Sequence, residues 1–134
     1  MKLIVGITGS TGIVYGVRAL EVLKQCDVET HLIMSEWAQK CLTIETDYEF
    51  DYVKSLAKSY SDDKNMAASV SSGTHKMDGM IIIPCTMKTL SSVANDYEET
   101  LISRAASVTI KESRKLVLVP RETPLTAISI ENML

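Results

Sequence analysis

Aromatic residues are scarce in this chain of 134 residues: one Trp, one Phe and five Tyr make up 5% of it. A core of stacked rings is excluded, so packing must rest on Val, Ile, Leu, Met and Ala. A pocket for a flat aromatic ligand has few rings of its own to offer. Cysteine is equally sparse. Cys26, Cys41 and Cys85 form no CxxC or Cys/His spacing, which argues against a zinc site or a disulfide framework and leaves reduced thiols as the expectation. No run of Lys or Arg forms a stripe, and 14 basic against 17 acidic residues leave a net charge of -3. Nucleic acid is therefore not an expected partner. The longest apolar stretches, such as residues 79–84, are far shorter than the roughly 20 residues that span a bilayer. No charged n-region with an apolar h-region opens the chain. These absences together predict a soluble, cytoplasmic protein without membrane partners.

What is present is ordinary for a globular domain, with 46% hydrophobic and 23% charged residues. At this length one domain over residues 1–134 is expected, burying roughly 68% of the surface of the extended chain. Residues 2–7 (KLIVGI) read as a strand, followed by a tight turn and a helical pattern on Val14, Val17, Leu20 and Leu23. Val28 to Met34 reads as a second strand and Ser35 as the cap of the next helix. The polar stretch from Glu45 to His75 reads as a surface excursion, with helical signals at Tyr52 to Tyr60. Met77 to Pro84 leaves no polar face and predicts a central strand of a parallel sheet. A turn and helix from Cys85, a helix over Leu101 to Lys111, a strand over Lys115 to Val119 and a helix opening at Thr123-Pro124 complete the pattern. This alternation predicts an α/β fold, a doubly wound parallel sheet with right-handed crossovers.

In such sheets ligands bind beyond the carboxyl ends of the strands, so the residues that follow each strand carry the chemistry. After the first strand come Thr8, Gly9, Ser10, Thr11 and Gly12, a hydroxyl-rich turn before a helix N-terminus and a candidate anion cradle. Gly6, Gly9 and Gly12 form GxxGxxG, not GxGxxG, and Ser35 stands where a nicotinamide site wants an acid. A mononucleotide fits better than NAD. After the third strand, Cys85, Thr86, Met87, Lys88 and Thr89 make a second such turn. Cys85 reads as a small buried residue rather than a nucleophile. Arg104 and Lys111 fall on one helix face, and Arg121 and Glu122 follow the last predicted strand. Three cations converging on the hydroxyls would make a phosphate site. His31 and His75 read as structural or exposed.

The segments TGSTG, Ser35, DGMIIIPCTMKTLSSVAN, LISRAAS and KESRKLVLVPRETPLTAISIENML resemble the flavin prenyltransferase family, whose members are also known as the flavoprotein component of phenolic (hydroxyarylic) acid decarboxylases. The resemblance runs along the whole chain. It implies a flavodoxin-like three-layer fold and FMN as cofactor, with no metal. It also implies transfer of a dimethylallyl group from dimethylallyl monophosphate to flavin N5 and C6, delivery of prenylated FMN to a UbiD-type decarboxylase, and assembly as a homo-dodecamer with sites at subunit interfaces. Mapped onto this chain, it assigns FMN contacts to Gly9, Ser10, Thr11, Gly12, Ser35, Cys85, Thr86, Met87, Lys88, Thr89 and Arg104. Lys111 and Arg121 would hold the prenyl phosphate, Glu122 would shuttle protons, and Glu45 would be a second active-site acid. Such chemistry is coherent, since fixed cations stabilise a departing phosphate.

The chain also departs from the family pattern. Asp96 stands where glycine is usual, Ser107 replaces the Asp of RAAD, and Ser129 replaces a His before ENML. The family continues past ENML with a Tyr and an Arg that complete the donor-phosphate site, so this chain reads as the greater part of a slightly larger domain. A second expectation is therefore a non-catalytic FMN-binding or assembly protein. A related flavin-dependent cysteine decarboxylase is disfavoured, because PCTMKT stands where those enzymes carry a PxSANT-type loop.

Overall fold

The computed structural model describes residues 1–134. The apolar run after Lys2 forms β1 (Lys2–Ile7), and its residues alternate between two cores, as the two-residue period of a strand requires. Ile4 points into one, while Val5 and Ile7 point into the other. β1 lies in the middle of a five-stranded sheet of order β3-β2-β1-β4-β5, formed with β2 (Glu29–Met34), β3 (Ser59–Asp62), β4 (Gly79–Cys85) and β5 (Lys115–Pro120). Every pairing is parallel.

Helices cover both faces. On one side α1 (Ile13–Gln25), α2 (Glu36–Glu45) and α3 (Phe50–Ser55) bring Ile13, Val17, Leu20, Ala38, Leu42 and Val53 against Val5, Ile7, Leu32 and Met34. On the other, α4 (Met87–Ala94) and α5 (Leu101–Lys111) pack Leu90, Leu101, Ile102, Ala105 and Ala106 on Ile4, Ile33, Met80 and Ile82. Each of the Val, Leu, Ile and Met side chains among them, once buried, contributes about 1.5–3 kcal/mol. α6 (Ala127–Met133) lies beside α4. The architecture is the three-layer, doubly wound α/β sheet that the alternating pattern predicts. No helix is long and apolar enough to cross a membrane.

Two elements differ from the sequence reading. The stretch read as a surface excursion supplies a fifth strand, β3, which pairs with β2 from His31↔Ser59 to Met34↔Asp62. Its residues, SYSD, are polar because it is an edge strand with one neighbour. His31 secures it: ring Nδ1 lies 2.7 Å from Ser59 Oγ and Nε2 lies 2.9 Å from Ser61 Oγ. Burial, and then the nearby His75, lower the His31 pKa. The last helix begins at Ala127 rather than at Pro124, because Thr126 is the residue whose hydroxyl caps it, accepting from Ser129 N at 3.0 Å.

Candidate functional site

From β1 the chain winds outward through β2 and β3, then returns across β1 to β4 and β5 on the other side. The reversal falls between β1 and β4, and there the loops at the carboxyl ends diverge and leave a crevice. A cleft of about 540 Å³ occupies this position. Thr8, just past β1, and Thr86, just past β4, form its floor. The buried Thr8 hydroxyl donates to Pro84 O at 2.7 Å and accepts from Thr86 N at 2.9 Å, which clasps the two loops together.

Three helices begin at this cleft, and each is capped by a hydroxyl that lines it. Ser35 Oγ accepts from Ala38 N at 3.0 Å at the start of α2, and Thr86 Oγ1 accepts from Thr89 N at 3.1 Å at the start of α4. Thr100 Oγ1 accepts from Ser103 N at 3.2 Å at the start of α5, with Ser103 Oγ returning the bond from Thr100 N at 3.0 Å. The positive ends of three helix dipoles therefore converge on one space. Lys40, Lys64 and Lys88 add charge of the same sign, opposed by Glu36, Asp63 and Glu99. Glu36 is engaged by Lys64 at 2.8 Å and by Lys40 at 3.7 Å.

Of the residues singled out from the sequence, Gly9, Ser35, Thr86, Lys88 and Thr89 line the cleft. Gly9 is required by contact: a Cβ there would lie 2.5 Å from Trp37 Cδ1. Ser10 follows with its Oγ buried and without a hydrogen-bond partner. Thr11 is exposed. Gly12 takes φ 100°, a conformation open to glycine, as the residue before α1. The N-terminus of α1, read from sequence as an anion cradle, is instead filled from within the chain. Glu45 Oε2 accepts from Gly12 N at 3.2 Å and from Ile13 N at 3.4 Å.

Cys85 is fully buried, and desolvation pushes its thiol up to about 12, so it stays protonated at neutral pH. Met87 is half-buried against the α4–α5 core. Arg104 lies outside the cleft: Nη1 donates to Glu98 Oε2 at 2.6 Å and Nε to Ser71 O at 3.0 Å. Lys111, Arg121 and Glu122 are exposed and also stand apart from the cleft wall. The sequence-predicted cations thus do not converge there on one protomer. Lys40 and Lys64, which no motif marks, stand in the wall beside Lys88.

Asp63, Thr100 and Trp37 are not legible from sequence as site residues. Asp63 follows β3 and is 8% exposed. Its Oδ1 accepts from Ile102 N at 2.8 Å while its backbone carbonyl accepts from Leu101 N at 2.8 Å, which fastens the start of α5 to the sheet. Burial raises the Asp63 pKa, more than the Ile102 amide lowers it. No group of three or more His, Cys, Asp or Glu side chains is placed to hold a metal ion.

Comparison with known proteins bears on this site. Residues 1–131 match the model of the Flavoprotein family. A probable UbiX-like flavin prenyltransferase of Escherichia coli O157:H7 is 51% identical over 135 aligned residues, covering 100% of this chain and 68% of that protein. A crystal structure described as a dodecameric FMN-dependent UbiX-like decarboxylase from Escherichia coli O157:H7 superposes with a TM-score of 0.97 at 51% identity, over 99% of this chain and 73% of that one. The structure of AnUbiX (PadA1) in complex with FMN and dimethylallyl pyrophosphate gives a TM-score of 0.97 at 47% identity, over 98% of this chain and 70% of that one.

Proposed function

Because the chain belongs to the flavoprotein family and, within it, to the UbiX-like flavin prenyltransferases, we propose that it binds FMN in the cleft between β1 and β4. There it transfers a dimethylallyl group from dimethylallyl monophosphate to N5 and C6 of the reduced flavin. The observation that carries this reading is the match of the whole chain to a flavin prenyltransferase at half identity, together with a cleft whose chemistry suits the cofactor. Three helix N-termini suit an electronegative ligand. The unpartnered Ser10 Oγ, buried beside the cleft-lining Gly9, is a hydroxyl in want of a partner. Gly9 lets Trp37 pack against the β1 turn, which puts an aromatic side chain in the cleft wall.

Gly9, Ser10, Thr11, Gly12 and Ser35 hold the cofactor from the β1 and β2 side. Cys85 to Thr89 hold it from the β4 side through backbone amides, hydroxyls and Lys88, and Arg104, which stands outside the cleft wall paired with Glu98, is assigned to its phosphate. Reduced FMN, when bound, supplies the nucleophilic N5 and C6 positions. Lys111 and Arg121 bind the donor phosphate, and their charge stabilises it as the allylic C–O bond breaks. Glu122 takes the proton released at N5 and returns it to a phosphate oxygen, and Glu45, whose Oε2 meets the Gly12 and Ile13 amides, is the second acid. Lys111, Arg121 and Glu122 are exposed on one protomer, so the reading includes a homo-oligomer, a dodecamer as in the relative, that closes the donor site between subunits. The product, prenylated FMN, serves a UbiD-type decarboxylase in the cytoplasm.

The test is direct. The chain is incubated anaerobically with reduced FMN and dimethylallyl monophosphate, and the flavin is analysed by mass. A flavin heavier by one prenyl unit is expected. FMN retained without that gain would leave a flavin-binding protein without turnover, and no FMN retention would overturn the reading.

A further inference from the structure

We infer that Trp37 is the platform on which the flavin ring lies in the cleft, an inference that rests on FMN being the cleft's ligand. Trp37 is the one hydrophobic side chain among the fifteen residues that line the cleft. The isoalloxazine ring is flat, with apolar faces and polar edges. Donors and acceptors around the wall can serve its edges, but its faces need an apolar surface to displace water. Trp37 supplies the one aromatic face in that wall.

Trp37 is also held as a platform would be. It occupies the first turn of α2, directly after the Ser35 cap. Its side chain packs so closely on Gly9 that any Cβ at that position would lie within 2.7 Å of both its Cβ and its Cδ1. Lys40 Nζ sits 5.1 Å from the ring centroid, steadying the indole by a cation–π contact. Even so, Trp37 is 58% exposed. An indole fixed by its backbone neighbours yet left open to the cleft is pre-organised for stacking, because little side-chain entropy remains to be lost on binding.

Affinities for FMN and for riboflavin, which has the same ring and no phosphate, are measured by equilibrium dialysis for wild type, W37F, W37L and W37A, with the visible circular dichroism of the bound flavin. W37F should bind FMN within about threefold of wild type, while W37A should weaken FMN and riboflavin by the same factor, about tenfold, and lose most of the flavin dichroism. W37L, apolar but without a π face, should resemble W37A more than W37F and keeps the test open should W37A fail to fold. FMN binding by W37A or W37L as tight as wild type overturns the inference while leaving the FMN reading intact. So does a change confined to oligomeric mass, which would make Trp37 a contact between subunits. A wild-type chain that binds neither flavin overturns both.

Discussion

Ser107 donates its hydroxyl hydrogen to Asp96 Oδ1 across 2.7 Å, which ties the turn after α4 to the side of α5. Asp96 sits at φ 53° after α4. Ser107 lies on α5 and faces it. Asp tolerates this backbone conformation better than most side chains because it is short and polar.

A double-mutant cycle reads the contact. Asp96→Gly should shift stability by no more than about 1 kcal/mol, since relief of the left-handed backbone offsets the lost bond. Ser107→Ala should cost about 0.5 kcal/mol in the wild type and close to nothing in the D96G background. Urea unfolding of the four proteins gives the coupling, and strict additivity would show that the two positions do not communicate.

The clasp at Thr8 should be costly to break. Thr8→Val keeps the shape, removes the bonds to Pro84 O and Thr86 N, and leaves the half-buried Thr86 amide without this partner. A loss of about 1–3 kcal/mol follows. Thr8→Ser restores both partners and should recover most of that loss in the same denaturation series.

Asp63 gives a pH-dependent prediction. Its folded pKa is raised by burial, so between the ordinary Asp value of about 3.9 and the raised one the folded state holds more protons than the unfolded state. Stability therefore falls as pH rises through that window. Asp63→Asn keeps an acceptor for Ile102 N and carries no charge to desolvate. It should melt at or above the wild-type temperature at pH 7, with the gap closing as pH falls towards 4. Asp63→Ala, which strips the acceptor, should melt lower at every pH.

Thiol reactivity should follow burial. Cys26 is exposed, Cys41 half-buried and raised in pKa by desolvation, and Cys85 buried with a pKa of about 12. Iodoacetamide at pH 8 should modify Cys26 first and Cys85 only after unfolding, as read by peptide mass. Rapid labelling of Cys85 in the native protein would contradict its placement.

Much of the fold can be read from residues whose pattern is local. The apolar run of β4 has no polar face because the strand is covered on both sides, and Ser35 declares the start of α2 by its chemistry. β3 cannot be read this way: SYSD has no apolar period, and it becomes a strand by pairing with β2, 28 residues earlier, where His31 also bonds Ser59. The candidate site divides along the same line. Thr86 and Lys88 follow an obvious strand and are visible for that reason. Asp63 follows the concealed one, and the amide it holds, Ile102, lies 39 residues on. The capping of α1 by Glu45 spans 33 residues, a distance at which only the folded chain decides who meets whom.

Thr8 and Thr86 are 78 positions apart, and this separation governs when the cleft can come into being during folding. No hairpin or single βα unit contains both walls, so no early fragment can present them together. The crevice exists only once β1 and β4 have paired along the register from Leu3↔Gly79 to Gly6↔Ile82, a non-local step of the slow kind. A ligand seated there binds the native sheet and not its precursors. Its binding energy then appears as resistance of the entire domain to unfolding, by mass action, rather than as the ordering of one loop.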